Sequence, residues 1–257
     1  MKLNGKVAVV TGSSRGLGAY IAKRFANEGA KVAIVAKERI DKANTVVDEI
    51  RKTGADAYAF QANVAHASEC KTLINEIDSY FGAIDILVNN AGIYLPISIE
   101  ETTELDWDNQ LNTNLKSCFF LTQAVLPNMK KQLSGKIINI SSSFGLVGHI
   151  NSGPYCASKG GLINLTRAIS LEVACKGINI NCLSPGGAET DLNFSRRQDP
   201  KFKKTLDDAT PSGNYFMGPD GLSGAAVFLA SSDSDAVHGA NISVDGGWTA
   251  GRALNMT

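Results

Sequence analysis

The chain has 257 residues, of which 44% are hydrophobic and 19% charged, enough apolar surface for a packed core and a composition that excludes a disordered polymer. Its 25 basic residues balance its 25 acidic ones, so no net field attracts nucleic acid or an anionic membrane. The length fits one large α/β domain, no apolar run approaches the roughly 20 residues that span a bilayer, and the polar start at 1–6 lacks a signal-peptide pattern, so a cytoplasmic, non-membrane protein is expected.

Short runs rich in Val and Ile at 6–11, 31–36, 57–61, 84–89, 136–141, 178–183 and 241–244 read as seven strands. Between them, segments at 16–27, 40–52, 67–81, 104–132, 155–175 and 219–230 are too long for strands and read as helices. Runs such as VAVVT and DILVN are apolar at almost every position, as in strands covered on both faces. This alternation predicts an α/β fold in one domain over 1–257: a Rossmann-type doubly wound sheet of seven parallel strands with helices on both faces. Right-handed crossovers then align the strand C-terminal ends along one edge. The segment 190–218, rich in Asp, Pro, Lys and Arg and without a periodic core pattern, reads as a mobile flap over that edge. Its Arg196, Arg197, Lys201, Lys203 and Lys204 read as a solvated charged face.

After the first strand comes Thr11-Gly12-Ser13-Ser14-Arg15-Gly16-Leu17-Gly18, opening directly into a helix. Glycines stand where backbone turns tightly and approaches a ligand, and a helix N-terminus there holds a pyrophosphate. Gly12, Ser14, Arg15, Gly16, Leu17 and Gly18 are therefore expected to bind a dinucleotide. The spacing TGxxxGxG resembles the fingerprint of the short-chain dehydrogenase/reductase family, a resemblance that extends over essentially the whole chain.

The second strand ends in Ala36, where a protein preferring NAD places an acidic residue against the ribose hydroxyls. Lys37 follows and Arg15 lies in the glycine turn, so two cations are expected to converge on the 2'-phosphate of NADP, with Glu38 a competing negative charge; NADP is expected over NAD. After the third strand, Asn63-Val64 stands where many family members carry Asp-Val or Asp-Leu; an Asn carbonyl oxygen accepts the same bond from the adenine amino group. This variant is similar to that of some 3-oxoacyl carrier-protein reductases. After the fourth strand, Asn89-Asn90-Ala91-Gly92 matches the family segment that supports the cofactor, which assigns Asn90, Ala91 and Gly92 there.

Tyr155 and Lys159, four apart at the start of a helix, project from one face. Carbonyl reduction needs a proton donor at the developing alkoxide; a free tyrosine near ~10 is too reluctant to ionise for the reverse direction, and Lys159 with the positive nicotinamide is expected to bring it down. The resemblance implies that Tyr155 is the acid and base, that Ser142 holds the substrate oxygen, that Lys159 also binds the nicotinamide ribose, and that Asn114 positions a water joining Lys159 to solvent. Ser141 and Ser143 are alternatives to Ser142. Asn114 also stands mid-helix, where Asn disturbs the hydrogen-bond ladder. Downstream, Asn181 to Thr190 matches NxxxPGxxxT, implying that Pro185, Gly186, Ala188 and Thr190 meet the nicotinamide carboxamide, with Ala188 leaving a roomier pocket than the usual Ile or Val.

The histidines His66, His149 and His238 lack carboxylate or cysteine partners at ligand spacing, so no metal site is expected, although His149 is a candidate for the substrate pocket. The five cysteines read as buried free thiols. The chain is expected to interconvert a ketone and a secondary alcohol as an oxidoreductase. The substrate is small: a 3-oxoacyl thioester, although the arginines by which acyl-carrier reductases dock their partner are replaced by Lys130, Lys131 and Lys176, or alternatively a sugar or polyol or a cyclic alcohol. A non-catalytic NADP-sensing regulator typically lacks the tyrosine or lysine that this chain keeps. The family resemblance also implies a homotetramer packed through helices 104–132 and 155–175.

Overall fold

A computed structural model describes residues 1–188 and 198–251. Thr190, Arg196 and Arg197, singled out above, lie outside the described residues. Seven strands, β1 (Val7–Thr11), β2 (Lys31–Ala36), β3 (Ala57–Gln61), β4 (Ile86–Asn89), β5 (Gly135–Ile140), β6 (Ile178–Pro185) and β9 (Asn241–Val244), form one parallel sheet in the order β3-β2-β1-β4-β5-β6-β9. The order reverses between β1 and β4, which opens a crevice beyond their C-terminal ends.

Alternating strand residues feed two cores. Ala8, Val10, Ile34 and Ile138 pack with Ile21, Phe25, Val47 and Ile50 from α1 (Gly16–Asn27) and α2 (Ile40–Arg51), and with Val227 and Leu229 from the late helix Pro219–Ala230. Val9, Val35, Leu87 and Ile137 face the other way, onto Leu73 and Ile77 of α3 (Ala67–Phe81) and Leu121, Val125 and Met129 of a long central helix. This is the two-sided burial that continuous apolar runs demand.

The helix expected over 104–132 is continuous in path but not in winding. It consists of α4 (Glu104–Leu111), a π-helical turn (Asn112–Lys116) and α5 (Ser117–Gln132). A capping box between Thr103 and Asp106 fixes its start. The next helix, α6 (Gly153–Val173), begins before Tyr155, with Pro154 in its first turn.

The segment 198–218 contains structure that its composition conceals. Asp199 caps α7 (Pro200–Asp208), accepting from the backbone of Lys201 (3.0 Å) and Phe202 (3.2 Å). A two-stranded parallel ribbon joins β7 (Gly187–Ala188) to β8 (Phe216–Met217), followed by α8 (Pro219–Ala230). Lys203 and Lys204 form (i, i+4) pairs with Asp207 and Asp208, so much of the local positive charge is offset within α7.

Two other expectations need correction. Cys70, Cys118 and Cys182 are buried free thiols, but Cys156 is half-buried and Cys175 exposed. His66 does have a carboxylate partner, Glu69, at 2.8 Å, because one helical turn separates them. Among the described residues no cluster of three metal-ligating side chains occurs, and no helix is long and apolar enough to cross a membrane.

Candidate functional site

A cleft of about 1130 Å³ runs along the C-terminal edge of the sheet. At its outer end Gly12 and Gly16 have φ of 63° and 58°, the left-handed region that glycine enters freely. Gly18 is needed for packing: a Cβ there meets Asn90 Nδ2 at 2.4 Å and Gly12 O at 2.6 Å. Asn90 Nδ2 donates to Thr11 O (2.8 Å) and Gly12 O (3.1 Å), while Thr11 Oγ1 accepts from the backbone of Asn90 and Ala91 (both 3.0 Å). The glycine turn and the Asn90–Gly92 segment are thus laced together. Asn89, by contrast, is buried and donates to Asn139 at 2.8 Å, away from the cleft.

Helix α1 starts after Arg15 with no side-chain cap and no acidic residue in its first turn. Its first N–H groups therefore face the cleft without a carboxylate of the chain's own, a cradle that fits a pyrophosphate. Ser14, Arg15, Gly16, Leu17, Lys37, Asn63, Val64 and Ala91 all line this end, as expected. Two details qualify the expectation. The Lys37 ammonium pairs with Glu38 at 3.2 Å, and Arg39, not anticipated from the sequence, lines the same wall. Asn63 Oδ1 accepts from Ala65 N at 3.3 Å, a long bond that leaves acceptor capacity toward the cleft.

The inner end gathers Tyr155, Ser142 and Lys159 on the cleft wall, with Asn114 behind them. Lys159 is 4% exposed, and its Nζ donates to Ile140 O at 2.7 Å, 5.8 Å from the centre of the Tyr155 ring. Asn114 is fully buried in the π-helical turn. Its Oδ1 accepts from Ile93 N (2.8 Å), and its Nδ2 donates to Ile93 O (2.9 Å) and Ser158 Oγ (3.2 Å). Gly92 lets these groups meet, since a Cβ there lies 3.2 Å from Asn114 Oδ1 and 3.5 Å from Lys159 Nζ.

The three consecutive serines separate by direction. Ser142 hydrogen-bonds Tyr155 and accepts from Phe144 N at 3.1 Å. Ser141 is buried and donates to Lys159 O at 2.9 Å, tying strand to helix; Ser143 is also buried. Gly145 permits that closeness, because a Cβ meets Lys159 O at 2.9 Å.

Burial pushes the Tyr155 phenol up to about 12, the Ser142 hydrogen bond being the first influence to oppose it. Burial also lowers Lys159. The packing of the chain therefore favours the protonated form of Tyr155.

Beyond Tyr155, the wall is aromatic: Tyr94, Phe144, His149, Phe202, Tyr215 and Phe216. His149 stacks on Phe144 with ring centres 4.1 Å apart, in line with its expected place in the pocket. Pro185, Gly186 and Ala188 line the cleft as well, beside Tyr215 and Phe216, because β7 pairs with β8. Of this wall only His149 was anticipated. Phe202 and Leu206, four apart in sequence, carry the periodicity signal for α7 that the flap reading of 190–218 passes over; Tyr94 and Tyr215 carry no local signal.

Residues 6–201 match a family model described as short chain dehydrogenase. The 3-oxoacyl-[acyl-carrier-protein] reductase FabG of Staphylococcus aureus is 39% identical over 242 residues, covering 94% of this chain and 97% of its own. A 2-dehydro-3-deoxy-D-gluconate 5-dehydrogenase of Dickeya dadantii is 38% identical over 249 residues, covering 96% and 97%. The crystal structure of a gluconate 5-dehydrogenase from Burkholderia cenocepacia, in complex with NADP and tartrate, matches with a TM-score of 0.92 at 38% identity, covering 97% of each chain. With the glycine turn, the parallel sheet and the Tyr155–Lys159 pair already in place, these matches establish that the chain belongs to the short-chain dehydrogenase family and is an oxidoreductase.

Proposed function

We propose that this oxidoreductase interconverts a ketone and a secondary alcohol with NADP, using Tyr155 as acid and base. The observation that carries the reading is the meeting of Tyr155, Ser142 and Lys159 at the inner end of a cleft whose outer end is the open N-terminus of α1. The bound cofactor supplies or accepts the hydride. Tyr155, kept protonated by burial, donates its proton to the alkoxide oxygen that Ser142 orients, and takes it back in the reverse direction. Lys159 binds ribose hydroxyls and favours the phenolate when the proton leaves. Asn114 fixes the Ile93 backbone beside Lys159 and positions the water that links it to solvent.

Arg15 and Lys37, joined by Arg39, receive the 2'-phosphate; Asn63 and Val64 hold the adenine; Asn90, Ala91 and Gly92 shape the ribose side; Pro185, Gly186, Ala188 and Thr190 meet the carboxamide. The NADP held by the Burkholderia cenocepacia structure supports this choice of cofactor. The relatives' names make a 3-oxoacyl thioester and a sugar acid the first substrates to test.

The remaining assignments are a single catalytic domain with a flap at 190–218, a cytoplasmic location and a homotetramer. Exposed Trp107 and Phe119 on α4 and α5, and Leu171 on α6, support packing between copies. A monomeric mass in light scattering refutes the tetramer. The enzymatic reading is tested by kcat/KM for NADPH and NADH in the wild type, Tyr155→Phe and Lys37→Ala. Tyr155→Phe is expected to lose roughly 10²–10⁴-fold in turnover, and Lys37→Ala about tenfold in preference for NADPH. Undiminished turnover in Tyr155→Phe overturns the acid-base assignment, and unchanged discrimination removes Lys37 from the cofactor site.

A further inference from the structure

Three phenols line the substrate end of the cleft, those of Tyr94, Tyr155 and Tyr215. Two have partners in the chain: Tyr94 shares a hydrogen bond with Ser152 (3.0 Å) and Tyr155 with Ser142. The Tyr215 hydroxyl has none among the described residues; the backbone N–H of Tyr215 donates to Asp207 Oδ1 at 2.9 Å. Tyrosine rings buried this deeply ordinarily find a partner for the hydroxyl. Tyr215 is 9% exposed and lies on the cleft wall, so the surface it keeps faces the ligand space.

The ring is also held rigidly. One face rests on Gly187, where a Cβ meets Tyr215 Cε1 at 2.5 Å. Trp248 and Phe216 pack edge-on, with ring centres at 5.9 and 5.0 Å, and Asp207, which fixes the backbone, is itself paired with Lys203. Ring contacts run without a break from Tyr155 through Phe144 and Trp248 to Tyr215. Burial raises the Tyr215 phenol, and the neighbouring Tyr94 raises it further, so it stays a neutral group that both donates and accepts. A rigid wall with a neutral hydroxyl that no described residue pairs suits a substrate carrying a second oxygen, and disfavours an analogue that leaves the hydroxyl without a partner.

We propose that Tyr215 is a substrate-binding residue whose hydroxyl hydrogen-bonds a second oxygen, hydroxyl or carbonyl, on a carbon near the one that reacts, and so selects oxygen-substituted ketones over bare ones. This inference rests on the reading of the cleft as the site of ketone and alcohol interconversion. The second oxygen has two sources, the hydroxyl of a hydroxyketone or the thioester carbonyl of a 3-oxoacyl group, and the probes separate them.

The experiment measures kcat/KM with NADPH for butanone, acetoin and the N-acetylcysteamine thioester of acetoacetate, in the wild type, Tyr215→Phe and Tyr155→Phe. Tyr215→Phe keeps the ring and its contacts with Gly187 and Trp248, so folding is retained. The wild type is expected to prefer acetoin or the thioester over butanone, and Tyr215→Phe to reduce that preference about tenfold, the size of one net hydrogen bond. The same ratio is read without turnover by titrating the reduced alcohols against Trp248 fluorescence in a Trp107→Phe background. No preference for either oxygenated probe in the wild type, or an equal preference in Tyr215→Phe, overturns the inference. Should Tyr155→Phe abolish turnover while Tyr215→Phe leaves the ratio intact, Tyr215 alone is misassigned; should Tyr155→Phe leave turnover intact, the catalytic reading fails instead.

Discussion

Replacing Asn114 with alanine removes three hydrogen bonds at once, and its cost follows from their geometry. The amide satisfies both backbone groups of Ile93, at 2.8 and 2.9 Å, and reaches Ser158 Oγ at 3.2 Å. Each buried group left without a partner costs about 1–3 kcal/mol. Ile93 is half-buried, so water recovers part of that and the low end applies, about 2–3 kcal/mol for the pair. Alanine, the better helix former, offsets up to about 0.7 kcal/mol. The net is about 2 kcal/mol, or a fall in Tm of about 4–8 °C for a domain of this size. Calorimetry of Asn114→Ala beside Ser158→Ala checks it, the second variant losing the bond at 3.2 Å and the donation from Ser158 Oγ to Tyr155 O at 2.8 Å, a loss that alanine's better helix propensity offsets to about 1 kcal/mol. Activity is expected to fall in Asn114→Ala, because Asn114 Oδ1 and Lys159 Nζ both lie against Gly92, the residue before Ile93. A Tm within about 2 °C of the wild type, with activity lost, refutes the clamp and leaves Asn114 a purely chemical role.

Two other outcomes follow from the site. Gly18→Ala drives a Cβ against Gly12 O, a backbone atom that no rotamer change removes, so cofactor KM is expected to rise at least tenfold and stability to fall by about 1–3 kcal/mol; unchanged nucleotide binding in fluorescence titration contradicts this. For Tyr155, the folded chain keeps the phenol proton to about 12 whereas the unfolded chain loses it near the ordinary 10.0. That contribution is therefore complete below about pH 10 and lost as the pH climbs through 12, amounting to about 3 kcal/mol. Denaturant titrations between these limits are expected to show a steeper alkaline loss in the wild type than in Tyr155→Phe, and parallel curves contradict the burial argument.

The parts of this protein that are legible in sequence are those written locally. A strand buried on both faces has to be apolar at successive positions, so all seven strands of the parallel sheet stand out to within a few residues. A glycine turn between strand and helix has to be contiguous, so the residues of the outer cleft are readable as a string. Tyr155 and Lys159 are readable because four residues make one helical turn. Helix α7 was missed for a different reason: it buries little, so polar residues on most sides hide the pairing of Phe202 with Leu206.

Sequence by itself thus determined the fold class, the edge on which the cleft lies and the residues that open it. Tertiary structure alone decided which of three serines meets Tyr155, that a π-helical turn carries Asn114 onto the Ile93 backbone, and that Gly187 packs against the ring of Tyr215. Each of those outcomes is a contact between residues distant in the chain: Asn114 with Ile93 and Ser158, Gly187 with Tyr215, Ser141 with the backbone of Lys159. Local propensity and periodicity describe a residue's neighbours along the backbone, whereas these bonds exist only after the sheet and helices have packed.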